Sequence, residues 1–204
     1  MVYKPPISDN LVIKRIRSVT QSNNYPESVS YVLSNLFLYM RKRNLVGACH
    51  ALSSTLYVCL SEIGLKPQLL IGECQKPEDK PFDHSWIVLD NKILDLAIYM
   101  PLMMLQGSSD LQNTRLMDTG PVIFNIDIQA MKPTTVSYGI NIGLPMQDET
   151  LFPLNAPFCK YMSDFSMESG GLWTVARNVL PSDVKFDREE AIARYSDVQR
   201  IFVR

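Results

Sequence analysis

His84-Ser85-Trp86-Ile87-Val88-Leu89-Asp90-Asn91-Lys92-Ile93-Leu94-Asp95-Leu96-Ala97-Ile98 holds two β-rich runs around a turn-forming Asp-Asn pair. That pattern predicts a β-hairpin. If Asp90 and Asn91 are the whole turn, Leu89 faces Lys92, His84 faces Ala97 and Trp86 faces Asp95. Residues 84 and 86 share a face, so His84 and Asp95 become diagonal neighbours on it. A three-residue turn would move Asp95 to the other face. The chemistry of this stretch therefore rests on the hairpin register.

Upstream, Cys49 opens a helix just after Gly47, 35 residues before His84. Leu52, Leu56, Cys59, Leu60 and Ile63 continue an apolar stripe from it, and Gly64 closes the helix. Backbone N–H groups and the positive end of the helix dipole converge on a first-turn residue. Both favour a thiolate, the nucleophilic form of cysteine, and both can hold an oxyanion. Cys49 also lies on the inward stripe, the position of an ordinary buried cysteine. In the two-residue register, Asp95 orients His84 and His84 activates Cys49, the nucleophile, base and orienter of covalent catalysis. The Cys49 backbone N–H is one oxyanion donor; Asn44 and Tyr39 are candidates for a second. Trp86 either shields the His84 face from water or simply packs in the core. His50 points about 100° away from Cys49 on a helix. It reads as a surface or packing residue.

Around this segment the periodicity predicts helices and short strands. Ser8 or Asp9 caps a helix reaching about Val19. Pro26 and Glu27 open a second, with Val29, Val32, Leu33, Leu36, Phe37 and Met40 at helical spacing and Arg41, Lys42 and Arg43 at its end. Residues 68–73 read as a strand and 74–83 as a loop. Met100, Met103, Met104 and Leu105 are apolar enough to pack. Residues 121–128 and 136–142 read as strands, 143–157 as a loop, 161–180 carries no clear pattern, and residues from 182 or 183 to 200 turn helical. The expectation is a single domain over 1–204, its core over about 26–130 and an elaboration over about 131–204.

Composition narrows the classes. The 204 residues are 46% hydrophobic and 20% charged, which excludes a disordered chain or a coiled-coil rod. A net charge of −1 gives no basic field for nucleic acid or for a membrane surface. No apolar run approaches a transmembrane span, and residues 1–10 carry no apolar signal core, so the expected location is cytoplasmic. Four cysteines without a CxxC pair, and two histidines, are too few for a disulfide scaffold or a zinc site of ordinary spacing. No metal or other cofactor is expected.

Gly47-Ala48-Cys49 at a helix start, Phe82-Asp83-His84-Ser85-Trp86 on a strand and Ile93-Leu94-Asp95 on the next resemble the transglutaminase-like superfamily. The resemblance is nearest in style to bacterial transglutaminase-like cysteine peptidases and the leader peptidases of lasso-peptide maturation. It implies an α+β, papain-like core in which the nucleophile helix packs on an antiparallel sheet, here with extra N-terminal helices. It assigns Cys49 as nucleophile, His84 as base and Asp95 as orienting acid. Transglutaminases usually carry Trp after the nucleophile, where this chain has His50, which disfavours protein cross-linking. Arylamine acetyltransferases carry Arg-Gly-Gly before the cysteine, where this chain has Asn44-Leu45-Val46-Gly47. The expected activity is cysteine-dependent hydrolysis of an amide or peptide bond through a thioester. The alternatives are acyl transfer to an amine by the same triad and a catalytically silent binding module. A peptide or protein substrate is implied, with a separate recognition protein as a natural partner.

Overall fold

A computed structural model describes residues 7–77, 81–100, 119–140, 156–165 and 168–203. Three helices come first. Ser8 caps α1 (Asp9–Ser22) through its hydroxyl, which accepts from the Leu11 N–H. The inward stripe of α1 is Val12, Ile16 and Val19, so Leu11 faces outward and Ile13 packs only at the margin. Helix α2 (Glu27–Arg43) buries all six of its expected apolar positions at 0% exposure. Helix α3 (Cys49–Glu62) ends at Gly64, whose φ of 86° suits a residue without Cβ.

Strands β1 (Gln68–Gln75), β2 (Phe82–Leu89) and β3 (Lys92–Asp95) form an antiparallel meander. Asp90 and Asn91 both take positive φ, 49° and 60°, the geometry of a two-residue type I′ turn. Leu89 accordingly faces Lys92, and Ile87 faces Leu94. The register is the one that puts His84 and Asp95 on one face.

The edges differ from the sequence reading. β1 runs two residues beyond 73, so Cys74 is a buried strand residue rather than part of a loop. β3 stops at Asp95, because the Asp95 carboxylate captures the Ile98 N–H and the chain turns into a 3₁₀ helix (Ala97–Tyr99). The expected strand over 121–128 is a hairpin of β4 (Val122–Ile123) and β5 (Ile126–Asp127). Phe124 and Asn125 turn it with φ of 52° and 66°. Strands β6 (Lys132–Pro133) and β7 (Ser137–Tyr138) follow. Helices α4 (Phe158–Asp164) and α5 (Leu172–Val179) occupy the stretch without a clear pattern. Asp187 caps α6 (Arg188–Arg194), and the chain then returns as β8 (Ile201–Val203), an element absent from the sequence reading. Most of the methionine group, at Met103 and Met104, lies outside the described residues; Met100 is buried.

The sheet order is β6-β5-β4-β3-β2-β1-β7, antiparallel except that β8 pairs parallel with β1. Its two faces are unequal. Leu69, Ile87, Leu89 and Leu94 face the main core with α1, α2, α3 and α5. Trp86, Cys74, Val122 and Val136 form a smaller cluster on the other side. The result is a mixed α/β fold with helices massed on one face of the sheet. Among the described residues, no helix is long and apolar enough to cross a membrane.

Candidate active site

His84 and Asp95 are both 2% exposed, and His84 Nε2 lies 2.7 Å from Asp95 Oδ2. Two more donors hold the carboxylate. The Tyr138 hydroxyl donates to Oδ2 at 2.9 Å and the Ile98 N–H donates to Oδ1 at 3.1 Å. Burial first, and the Asp95 charge second, raise Tyr138 well above the ordinary tyrosine value, so it stays a donor. Three donors, counting His84, thus satisfy this buried carboxylate.

Cys49 reaches this pair from the helical side. The chain leaving β3 crosses to the start of α3, where the Gly47 N–H donates to the Met100 carbonyl at 2.9 Å. β3 pairs only with Ile87, Val88 and Leu89 of β2, so His84 stands beyond the paired part of that hairpin. There the Cys49 thiol comes under the electrostatic influence of His84 and of His50. With Nε2 of His84 committed to Asp95, Nδ1 is the nitrogen left for the thiol.

The electrostatics single out this cysteine. Burial opposes the Cys49 thiolate, but the charge and hydrogen bonding of His50 and His84 prevail and bring its pKa down to about 5. Burial likewise opposes the His84 imidazolium. Asp95, followed by the Cys49 thiolate, overrides it and lifts His84 to about 10. The other thiols go the opposite way. Burial pushes Cys59, Cys74 and Cys159 all up. Only Cys49, of the four, is suited to be a thiolate at neutral pH.

The remaining expected site residues stand elsewhere or have other duties. Asn44 is exposed and takes φ of 51° as the left-handed residue that ends α2, its N–H bonded to the Arg41 carbonyl. Tyr39 donates its hydroxyl to Glu168 at 3.2 Å. Trp86 is 2% exposed, shares the His84 face and packs against Tyr138 with ring centroids 5.2 Å apart. Sequence reasoning missed Tyr138, which lies 43 residues beyond Asp95 with no spacing signal to link them. It also undervalued His50, whose charge is a leading influence lowering the Cys49 pKa. Among the described residues, no group of three His, Cys, Asp or Glu could hold a metal ion. Comparison of the chain with models of known families, with curated proteins and with solved structures found no match to any of them.

Proposed function

We propose that this protein is a cysteine-dependent hydrolase of amide or peptide bonds, with Cys49 as nucleophile, His84 as acid and base, and Asp95 as positioning residue. This reading takes the mixed α/β fold as a transglutaminase-like, papain-like core. One observation carries the reading: His84, which acts on the Cys49 thiol, has its Nε2 held at 2.7 Å by the buried Asp95 carboxylate.

The chemistry follows from that geometry. The Cys49 thiolate attacks the carbonyl carbon, forming a C–S bond and an oxyanion. N–H groups of the first turn of α3, including that of Cys49, are the donors for that oxyanion. The C–N bond then breaks, and the His84 imidazolium gives its proton to the leaving amine. The neutral imidazole next takes a proton from water, whose oxygen attacks the thioester. The C–S bond breaks, and the acid product and the thiolate are regenerated. Asp95 keeps the imidazole in one orientation and supports its charge throughout. The substrate is a peptide or protein.

The test is incubation with a diverse peptide mixture, read by mass spectrometry of the products and of the intact protein. We expect new peptide termini and an acyl adduct on Cys49 that hydroxylamine removes. Cleavage that persists in Cys49→Ala would overturn the assignment.

A further inference from the structure

On the face of the sheet opposite His84, a second polar contact joins the same two elements. Ser53, one turn after Cys49 on α3, and Ser85, the residue after His84 on β2, are 5% and 1% exposed in surroundings that are otherwise apolar. Their hydroxyl oxygens are 2.7 Å apart. The Ser53 hydroxyl also stands 2.5 Å from the Cys49 carbonyl, and Ser85 Oγ 3.0 Å from the Leu70 carbonyl of β1. A polar line therefore runs from the backbone of Cys49, through two hydroxyls, to β1.

Proton counting shows why this line is unusual. Two hydroxyl protons serve these three contacts and a longer one of 3.5 Å from Ser53 to the His50 carbonyl, and carbonyls can only accept. If both carbonyls are served, the two serine oxygens face each other with no proton between them. If the serines share a proton, one carbonyl loses its hydroxyl donor. A cavity of about 10 Å³ is bordered by Ser53, Ser85, Asp95, Leu52 and Leu56. Apolar residues would pack here at less cost, since buried polar groups incur a penalty wherever a partner is missing.

We propose that Ser53 and Ser85 are positioning residues that set the separation of Cys49 from His84. This rests on the function proposed above. A serine in a helix interior that bonds the carbonyl four residues back tends to bend the helix. Here the same hydroxyl is pulled towards β2, so the tie bears on the turn that carries Cys49. The backbone of each reacting residue is thereby located against the other through their immediate neighbours. Charge attraction falls with separation, so slack of about an ångström between thiolate and imidazolium lowers the alkylation rate below the titration midpoint about threefold.

The experiment is the pH profile of iodoacetamide alkylation at Cys49 in Ser53→Ala, Ser85→Ala and the double variant, with urea unfolding run beside it. The groups that interact with the thiol are His50 and His84, with Cys74 and Tyr161 acting through charge. None is altered, so a moved profile reports geometry. We expect each single variant to shift the midpoint upward, and the double variant to shift it no further than the larger single effect. Ser53→Thr and Ser85→Thr keep a hydroxyl and are expected to keep the wild-type midpoint; they serve also if an alanine variant fails to fold. An unchanged midpoint in the alanine variants, with stability alone reduced, would make the tie merely structural. So would threonine variants that shift the profile as alanine does. A wild-type profile with no lowered midpoint would instead reject the proposed function itself.

Discussion

Cys49 is a case where several weak influences must be ranked. Burial alone would make this thiol as inert as Cys59, whose pKa burial drives upward. Two imidazoles reverse that outcome, and the one nearer in sequence, His50, is the larger influence. Its Nδ1 is buried and has no hydrogen-bond partner among the described residues. Removing a group that lowers a pKa raises that pKa. His50→Ala should therefore move the alkylation midpoint of Cys49 up from about 5 by at least about one pH unit, roughly a tenfold loss of rate at low pH. A profile identical to wild type would assign the whole effect to His84. This contribution could not be read from the sequence, because ideal helical projection sends His50 away from Cys49.

Among the elements, the β2–β3 hairpin carries the most information per residue. Its turn pair was legible because Asp and Asn tolerate left-handed backbone, and both central residues use it. A register slip of one residue would reverse the face of Asp95 and separate it from His84. Replacing Asn91 with Val puts a β-branched side chain at φ of 60°. We expect Asn91→Val to lose ~1–2 kcal/mol in urea unfolding, with Asn91→Gly near wild type. Equal stability of the two variants would mean that the turn does not hold the register. The helices were equally legible, since α2 buries every position its periodicity selected. The strands of two residues were not. β4 and β5 are separated by a turn at Phe124 and Asn125, and Phe is an unlikely residue for left-handed backbone on local grounds. Tertiary packing supplies the reason: Phe124 stacks on Tyr25 at 4.4 Å.

At the scale of the molecule, the site is a meeting of distant segments. Cys49 comes from a helix of the main core, His84 and Asp95 from the sheet, and Tyr138 from β7, which pairs with β1. Leu172, Trp173, Val175, Ala176, Val179, Leu180 and Tyr195 enter the same core as α3, so the C-terminal part is continuous with the helix that bears Cys49. β8 closes on β1 beside Gly72, where an added Cβ would lie 2.5 Å from the Val203 carbonyl oxygen. Such long-range closure leaves little trace in local patterns, which is why the His84–Asp95 pairing was legible in sequence and its supports were not. The central claim is that this assembly holds Cys49 as a thiolate beside an imidazolium. The most direct measurement is the pH profile of iodoacetamide alkylation at Cys49, followed by mass spectrometry, in the wild type and in Asp95→Asn. Thiolate forms as pH rises through the lowered value, and the imidazolium persists until pH passes the raised one. The wild type should therefore alkylate at a sustained rate from about pH 5 up to about pH 10. Asp95→Asn removes the charge that supports His84, so its alkylation should begin at markedly higher pH. A Cys49 that reacts only above the ordinary thiol range, with Asp95→Asn unchanged from wild type, would contradict the account.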